Sequence, residues 1–189
     1  MTYTFVTDDA NPHLGGNINE GDPFTYSPTT WRYLVDRFAV RTLLDLGSGL
    51  GYSAHFFSKL GPLVVAVDGL KKNVEMSSFP TILHDITHAP LYCAVDLIYC
   101  VEVVEHIAEP YVPNLMATFQ GAKFVMLSHA VPEQGGYHHV NCKDDKYWVD
   151  QFNVAGFNML PEDSARVRQY SALDSAHHIA RSALVFARR

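Results

Sequence analysis

Apolar residues fall into helical spacing after position 26. Trp31, Leu34, Val35 and Phe38 stand at i, i+3, i+4 and i+7, so one face of a helix is apolar. Ser27 stands where an N-cap belongs and Pro28 at the first helical position. The pattern then becomes a near-continuous apolar run at 42–46, which suits a buried strand. It runs through glycines into a helix that reaches about residue 60. Short strand-like runs follow at 63–67, 81–83, 94–100, 123–127 and 183–187. Helical stretches are expected at 71–78 and 107–119, the second begun or interrupted by Pro110 and Pro113. A further helix is expected with Asn141 as its cap, Asp144 three residues on, Trp148 and Phe152 sharing a core face, and Gly156 at its end. Strands alternating with helices predict an α/β fold: an open, doubly wound, mostly parallel sheet of about seven strands with helices on both faces.

Two polar stretches interrupt this pattern. Residues 1–26 are rich in Gly, Asn, Asp, Pro and Thr and read as an irregular arm, leaving 27–189 as one domain. The arm around Gly15, Gly16 and Asn17 is either a mobile terminus or a cover over the site described next. The loop VPEQGGYHHVN at 131–141 is of the kind that carries function.

Composition narrows the class. The chain has 189 residues, 48% hydrophobic and 18% charged, which fits one domain with a real core. A net charge of −6 argues against sequence-independent binding of a polyanion. Cys93, Cys100 and Cys142 form no C-x-x-C pair, so a disulfide framework or zinc ribbon is not expected. No basic-then-apolar leader and no run of 18 apolar residues is present, so a cytoplasmic protein without a membrane span is expected.

Chemistry concentrates at strand ends. Asp45-Leu46-Gly47-Ser48-Gly49-Leu50-Gly51 lies at a strand-to-helix junction, where glycines let a backbone approach a ligand closely. Tyr52 stands where a dinucleotide fingerprint has its third glycine, which disfavours a nicotinamide-dependent oxidoreductase. Asp68 ends the next strand, where a carboxylate can accept from two ribose hydroxyls. At the third strand end Asp85 suits an adenine amine, and the Ile86 N–H a ring nitrogen. No Lys or Arg sits in the glycine turn, consistent with a ligand lacking pyrophosphate.

On LLDLGSGLG, VVAVD and DLIYCVEVVEHI the chain resembles the class I S-adenosylmethionine-dependent methyltransferases over roughly residues 42–127. That resemblance implies a Rossmann-like sheet with a reversed last strand and S-adenosyl-L-methionine as cofactor. It implies that Gly47, Gly49 and Gly51 line the methionine and ribose portions, that Asp68 holds the ribose and that Asp85 holds the adenine. Asp45 orients the turn, and Cys100 lies near the methionine portion.

A second constellation is Glu102, Glu105 and His106. If a helix begins at Glu102, these residues share one face and suit a divalent metal. The motif is similar to that of ubiquinone-pathway O-methyltransferases and of small-RNA 2′-O-methyltransferases, which implies one more histidine ligand. His138 and His139 are available, and His139 completes the candidate set. The alternative is that the acids serve as helix caps and the histidine borders the pocket. Without a metal, His106 or His139 is the expected general base. The expected function is O-methylation of a small hydroxylated metabolite, with nucleic acid not expected as a partner. The alternatives are a nucleotide or RNA 2′-hydroxyl as acceptor, and a non-catalytic donor-binding subunit. Tyr26, Trp31 and Tyr52 are candidate covers, with core preferred for Trp31.

Overall fold

The strand-like runs bond edge to edge because their buried backbone N–H and C=O groups find no partner within a strand. The computed structural model describes residues 4–189, so the first three arm residues lie outside the described part. The strands are β1 Thr42–Leu46, β2 Leu63–Asp68, β3 Thr81–Leu83, β4 Val95–Cys100, β5 Ala122–Leu127, β6 Phe157–Met159 and β7 Leu184–Arg188. They form one seven-stranded sheet in the order β3-β2-β1-β4-β5-β7-β6. Pairings are parallel from β3 through β5, and β7 is antiparallel to both its neighbours. The expected reversed last strand is present.

Helices α1 Pro28–Arg37, α2 Tyr52–Lys59, α3 Lys71–Met76, α4 Val112–Phe119, α5 Asp145–Val154, α6 Pro161–Leu173 and α7 His177–Ser182 cover the two faces. Side chains alternate across the sheet. Leu44, Ile98, Val125 and Phe186 pack on one face with Phe119, Trp148 and Phe152. Leu43, Leu97, Met126 and Val185 pack on the other with Trp31, Phe57, Val167 and Ile179. β4, at the centre, is buried at every residue. Because β1 connects outward to β2 while β4 lies on its other side, a crevice opens at their carboxyl ends.

Several local expectations are corrected. Helix α1 starts as expected, but the Ser27 side chain makes no cap bond within it. Instead Asp174, at the end of α6, accepts from the Thr29 N–H at 2.8 Å and from the Ser27 hydroxyl at 3.0 Å. For α5 the cap is Asp144, which accepts from the Tyr147 N–H, and Asn141 is buried three residues upstream. No helix begins at Glu102. That residue takes the left-handed conformation with φ 53°, and only a short 3-10 turn, Val104–His106, follows. β6, α6 and α7 were not expected. The buried face of α6 is Asp163, Ser164, Val167 and Ser171, so polar residues hide its period.

The arm doubles back on itself. Phe5 and Ile18 form an isolated antiparallel bridge, and 3-10 turns occur at Pro12–Leu14 and Pro23–Thr25. Val6 and Ile18 are buried. Among the described residues no helix is long and apolar enough to cross a membrane.

Candidate donor and acceptor site

The chain leaves β1 through a turn that only glycine tolerates. Gly47 has φ 76°, and a Cβ there would lie 2.2 Å from Val103 Cγ2. Gly49, with φ 54°, is different: a Cβ there would meet nothing within 4 Å. Its open side borders a cavity of about 460 Å³ at the crevice between β1 and β4, within the usual range for small-ligand sites.

Three carboxylates stand at successive strand ends around that cavity, and each is held. The buried Asp45 accepts from the Ser53 hydroxyl at 2.6 Å, and burial together with the Asp68 charge pushes its carboxyl up to about 7. Asp68 accepts from the Gly49 N–H at 2.8 Å on one oxygen. On the other it accepts from the Leu70 N–H at 2.8 Å and from Asn73 at 3.1 Å. Burial outweighs these bonds and raises its pKa. Asp85 accepts from the Thr87 N–H and hydroxyl at 2.8 and 2.7 Å, and His13 Nε2 lies 3.0 Å from its other oxygen. Burial pulls the Asp85 carboxyl upward, but the His13 and Thr87 bonds outweigh it and leave it below the ordinary value. Ile86 is buried and lines the same cavity.

Two expected lining residues are elsewhere. Cys100 is fully buried in the core and absent from the cavity wall, because β4 alternation turns Tyr99 and Val101 toward the cavity instead. Gly51 caps α2, and its α-carbon faces Ser77 and Phe79 rather than the cavity. Trp31 is both core and wall: it is 1% exposed and donates its indole N–H to the Tyr99 hydroxyl at 2.8 Å. Tyr26 and Tyr52 line the cavity and are about half exposed.

The second constellation is partly assembled. The loop after β5 docks through the Val140 and Asn141 N–H groups, both donating to the Glu105 carbonyl at 3.0 Å. This brings Glu105, His106 and His139 together, with one ligand atom from each lying within 4.8 Å of the others. The rings of His106 and His139 meet edge-on at 5.0 Å. Glu102 does not join them. Its carboxylate accepts from the Ser128 hydroxyl at 2.8 Å and pairs with His178 Nδ1 at 3.2 Å. Glu105 is fully buried; its carboxyl lies beside the Glu102 carboxyl and the Ala130 N–H, but neither oxygen makes a well-formed hydrogen bond among the described residues. Burial and the Glu102 charge hold its pKa well above the ordinary value, whereas His178 and Ser128 keep Glu102 below its own despite burial. His106 Nδ1 is likewise unpartnered among the described residues, and burial with the nearby His139 pushes its pKa down to about 4.

The sequence reading missed the residues that close the cavity. His13, Asn17 and Asp22 of the arm line it, as does His178 of α7. Glu102 raises the His178 pKa, with Asp22 adding. Only contacts across more than 50 residues bring these groups in, so no local spacing marks them. The arm therefore lies along the wall of the cavity.

No family model matches the chain, and no curated protein matches it by sequence. Solved structures do. The methyltransferase domain of a bacterial Hen1 protein (CtHen1-C) superposes with TM-score 0.61 at 14% identity, covering 85% of this chain and 95% of that one. Magnesium protoporphyrin IX methyltransferase (ChlM) from Synechocystis PCC 6803 with bound SAH gives 0.59 at 15%, covering 86% and 83%. The fold is that of the class I methyltransferases. The [4+2]-cyclase SpnF also shares it, with TM-score 0.59 at 10% identity over 100% of this chain and 88% of that one. The methyltransferase fold therefore leaves the chemistry to be argued from the site.

Proposed function

We propose that this chain is an S-adenosylmethionine-dependent methyltransferase acting on a hydroxyl of a small acceptor. The observation that carries the reading is the donor wall. Asp68 is tied to the open-faced Gly49, and Asp85 with Ile86 stands at the next strand end, all on one cavity at the crevice. The residues fit the donor: Asp68 accepts from its ribose, Asp85 from its adenine amine, and the Ile86 N–H serves the ring. Asp45 holds the turn through Ser53. The donor supplies an activated sulfonium methyl, so the protein's task is to align nucleophile, carbon and sulfur.

On the acceptor side His106 and His139 receive the hydroxyl. His106, with a pKa near 4, stays neutral at pH 7. His139 donates its Nδ1–H to the Gln134 carbonyl at 3.3 Å, which leaves Nε2 to accept, so His139 takes the proton. The unpartnered Glu105 and His106 atoms also fit a divalent cation held by Glu105, His106 and His139. Such an ion, when bound, lowers the pKa of an acceptor hydroxyl. Among the described residues no lysine or arginine lines the cavity, which favours an acceptor without phosphate over an RNA terminus.

The test is incubation with methyl-labelled donor and a panel of uncharged diols and phenols, with and without Mn²⁺. Labelled product that falls in His139→Ala is expected. Donor binding without turnover on any acceptor would move the chain to the non-catalytic reading.

A further inference from the structure

We propose that His13, on the arm, is a positioning residue that makes the donor site selective for adenine. The inference rests on the donor reading above. His13 reaches Asp85 across 72 residues of sequence, with Nε2 at 3.0 Å from Oδ2. The other oxygen, Oδ1, is fixed by two donors of Thr87, its N–H at 2.8 Å and its hydroxyl at 2.7 Å. Both oxygens are therefore pinned and the carboxylate plane is set.

The arm that carries His13 is itself moored. Gly16 N–H donates to the Val6 carbonyl and Val6 N–H to the Asn17 carbonyl, both at 2.8 Å, closing the arm into a short ladder. Leu14 packs on Gly69 just after β2, so closely that a Cβ on Gly69 would lie 2.5 Å from Leu14 Cδ2. Asn17 exchanges bonds of 3.2 and 3.3 Å with Asn73, which donates in turn to Asp68. The arm thus touches the partners of two of the three donor-wall acids.

An ionised, fixed carboxylate accepts from the exocyclic amine of adenine and repels the carbonyl that replaces it in hypoxanthine. A carboxylate free to rotate, or one that picks up a proton, loses that distinction. Each carboxylate oxygen has two acceptor directions, so Oδ2 can serve His13 and a ligand amine together. His88 Nδ1 lies 3.3 Å from the same oxygen, but its side chain is 83% exposed and gives up that contact to a ligand at small cost. Burial alone would raise the Asp85 pKa, and the His13 and Thr87 bonds reverse that.

The experiment is calorimetric titration of S-adenosylhomocysteine and S-inosylhomocysteine, its deaminated analogue, into wild type, His13→Ala and His13→Gln. Thermal melts check that each variant is folded. Wild type should prefer the adenine ligand by more than about tenfold. His13→Ala should lose about tenfold of that preference, mostly through the adenine ligand, and His13→Gln, which keeps an N–H donor, should retain most of it. An unchanged preference in His13→Ala, or an equal loss for both ligands, would overturn the proposal by reducing His13 to a structural tie of the arm. If wild type binds neither ligand, the donor reading itself fails and the role of His13 falls with it.

Discussion

The two halves of the cavity differ in how their buried polar groups are satisfied. On the side of β1, β2 and β3, the carboxylates of Asp45, Asp68 and Asp85 all accept hydrogen bonds from nearby backbone or side chains. On the side of the turn after β4, Glu105 has two buried oxygens without a well-formed hydrogen bond among the described residues, and His106 Nδ1 and the Asn141 amide are also unpartnered. Buried polar groups left alone cost on the order of 1–3 kcal/mol each. The acids of the first half are all held, so it is the more finished of the two, although its Ser48 hydroxyl is also buried without a partner among the described residues; the second half is the unfinished one.

The largest effect should come from disturbing the finished half. Gly47→Ala places a Cβ against Val103 at positive φ and should cost roughly 2–3 kcal/mol of stability in urea denaturation. Val103→Ala in the same background should recover the clash but not the backbone strain. Next, Asp68→Asn should weaken S-adenosylhomocysteine binding by about 1–3 kcal/mol in calorimetry, because its amide group now faces an N–H donor. An unchanged affinity would remove Asp68 from the donor site.

The unfinished half should show itself in pH dependence. His106 titrates near 4 when folded and near 6.5 when unfolded, so between those values the unfolded chain binds more protons. This group alone adds stability with rising pH across that window, on the order of 1–3 kcal/mol, against the opposite contributions of Glu105 and Asp45, so the rise should be read as the difference between wild type and His106→Gln. Glu105 has the opposite sign. Its folded pKa lies above the ordinary 4.5, so above that pH the folded chain holds the extra proton and stability falls as pH rises. Denaturation curves of Glu105→Gln should show a smaller fall, the remainder coming from Asp45, and a matching slope in wild type and variant would contradict a buried protonated Glu105. The smallest effect is a control outside both halves: Asp174→Ala, which uncaps α1, should cost about 1 kcal/mol of stability and leave donor binding intact.

The same division explains what could be read from the sequence. The half proposed to hold the donor comes from contiguous runs: the glycine turn after β1 and the acids at or just past the ends of β2 and β3 are placed by local spacing, and the mostly parallel sheet follows from the alternation of strands and helices. Cys100 ends β4 as the sequence predicts, but alternation along the strand turns its side chain into the core instead of the cavity. The acceptor half joins segments far apart in the chain. Glu102 leaves the expected helix face because its backbone turns left-handed, and His178 pairs with it from α7. No periodicity announces such a contact; polar buried positions hide the period of α6, and α7 has only six residues, too few to show one.

The central claim is that the finished half is a donor site waiting for S-adenosylmethionine. It is tested most directly by titrating S-adenosylhomocysteine and NADH separately into the wild-type protein by calorimetry. Saturable one-to-one binding of S-adenosylhomocysteine with a negative heat-capacity change, and none of NADH, is the predicted result. Binding of NADH without S-adenosylhomocysteine would contradict it.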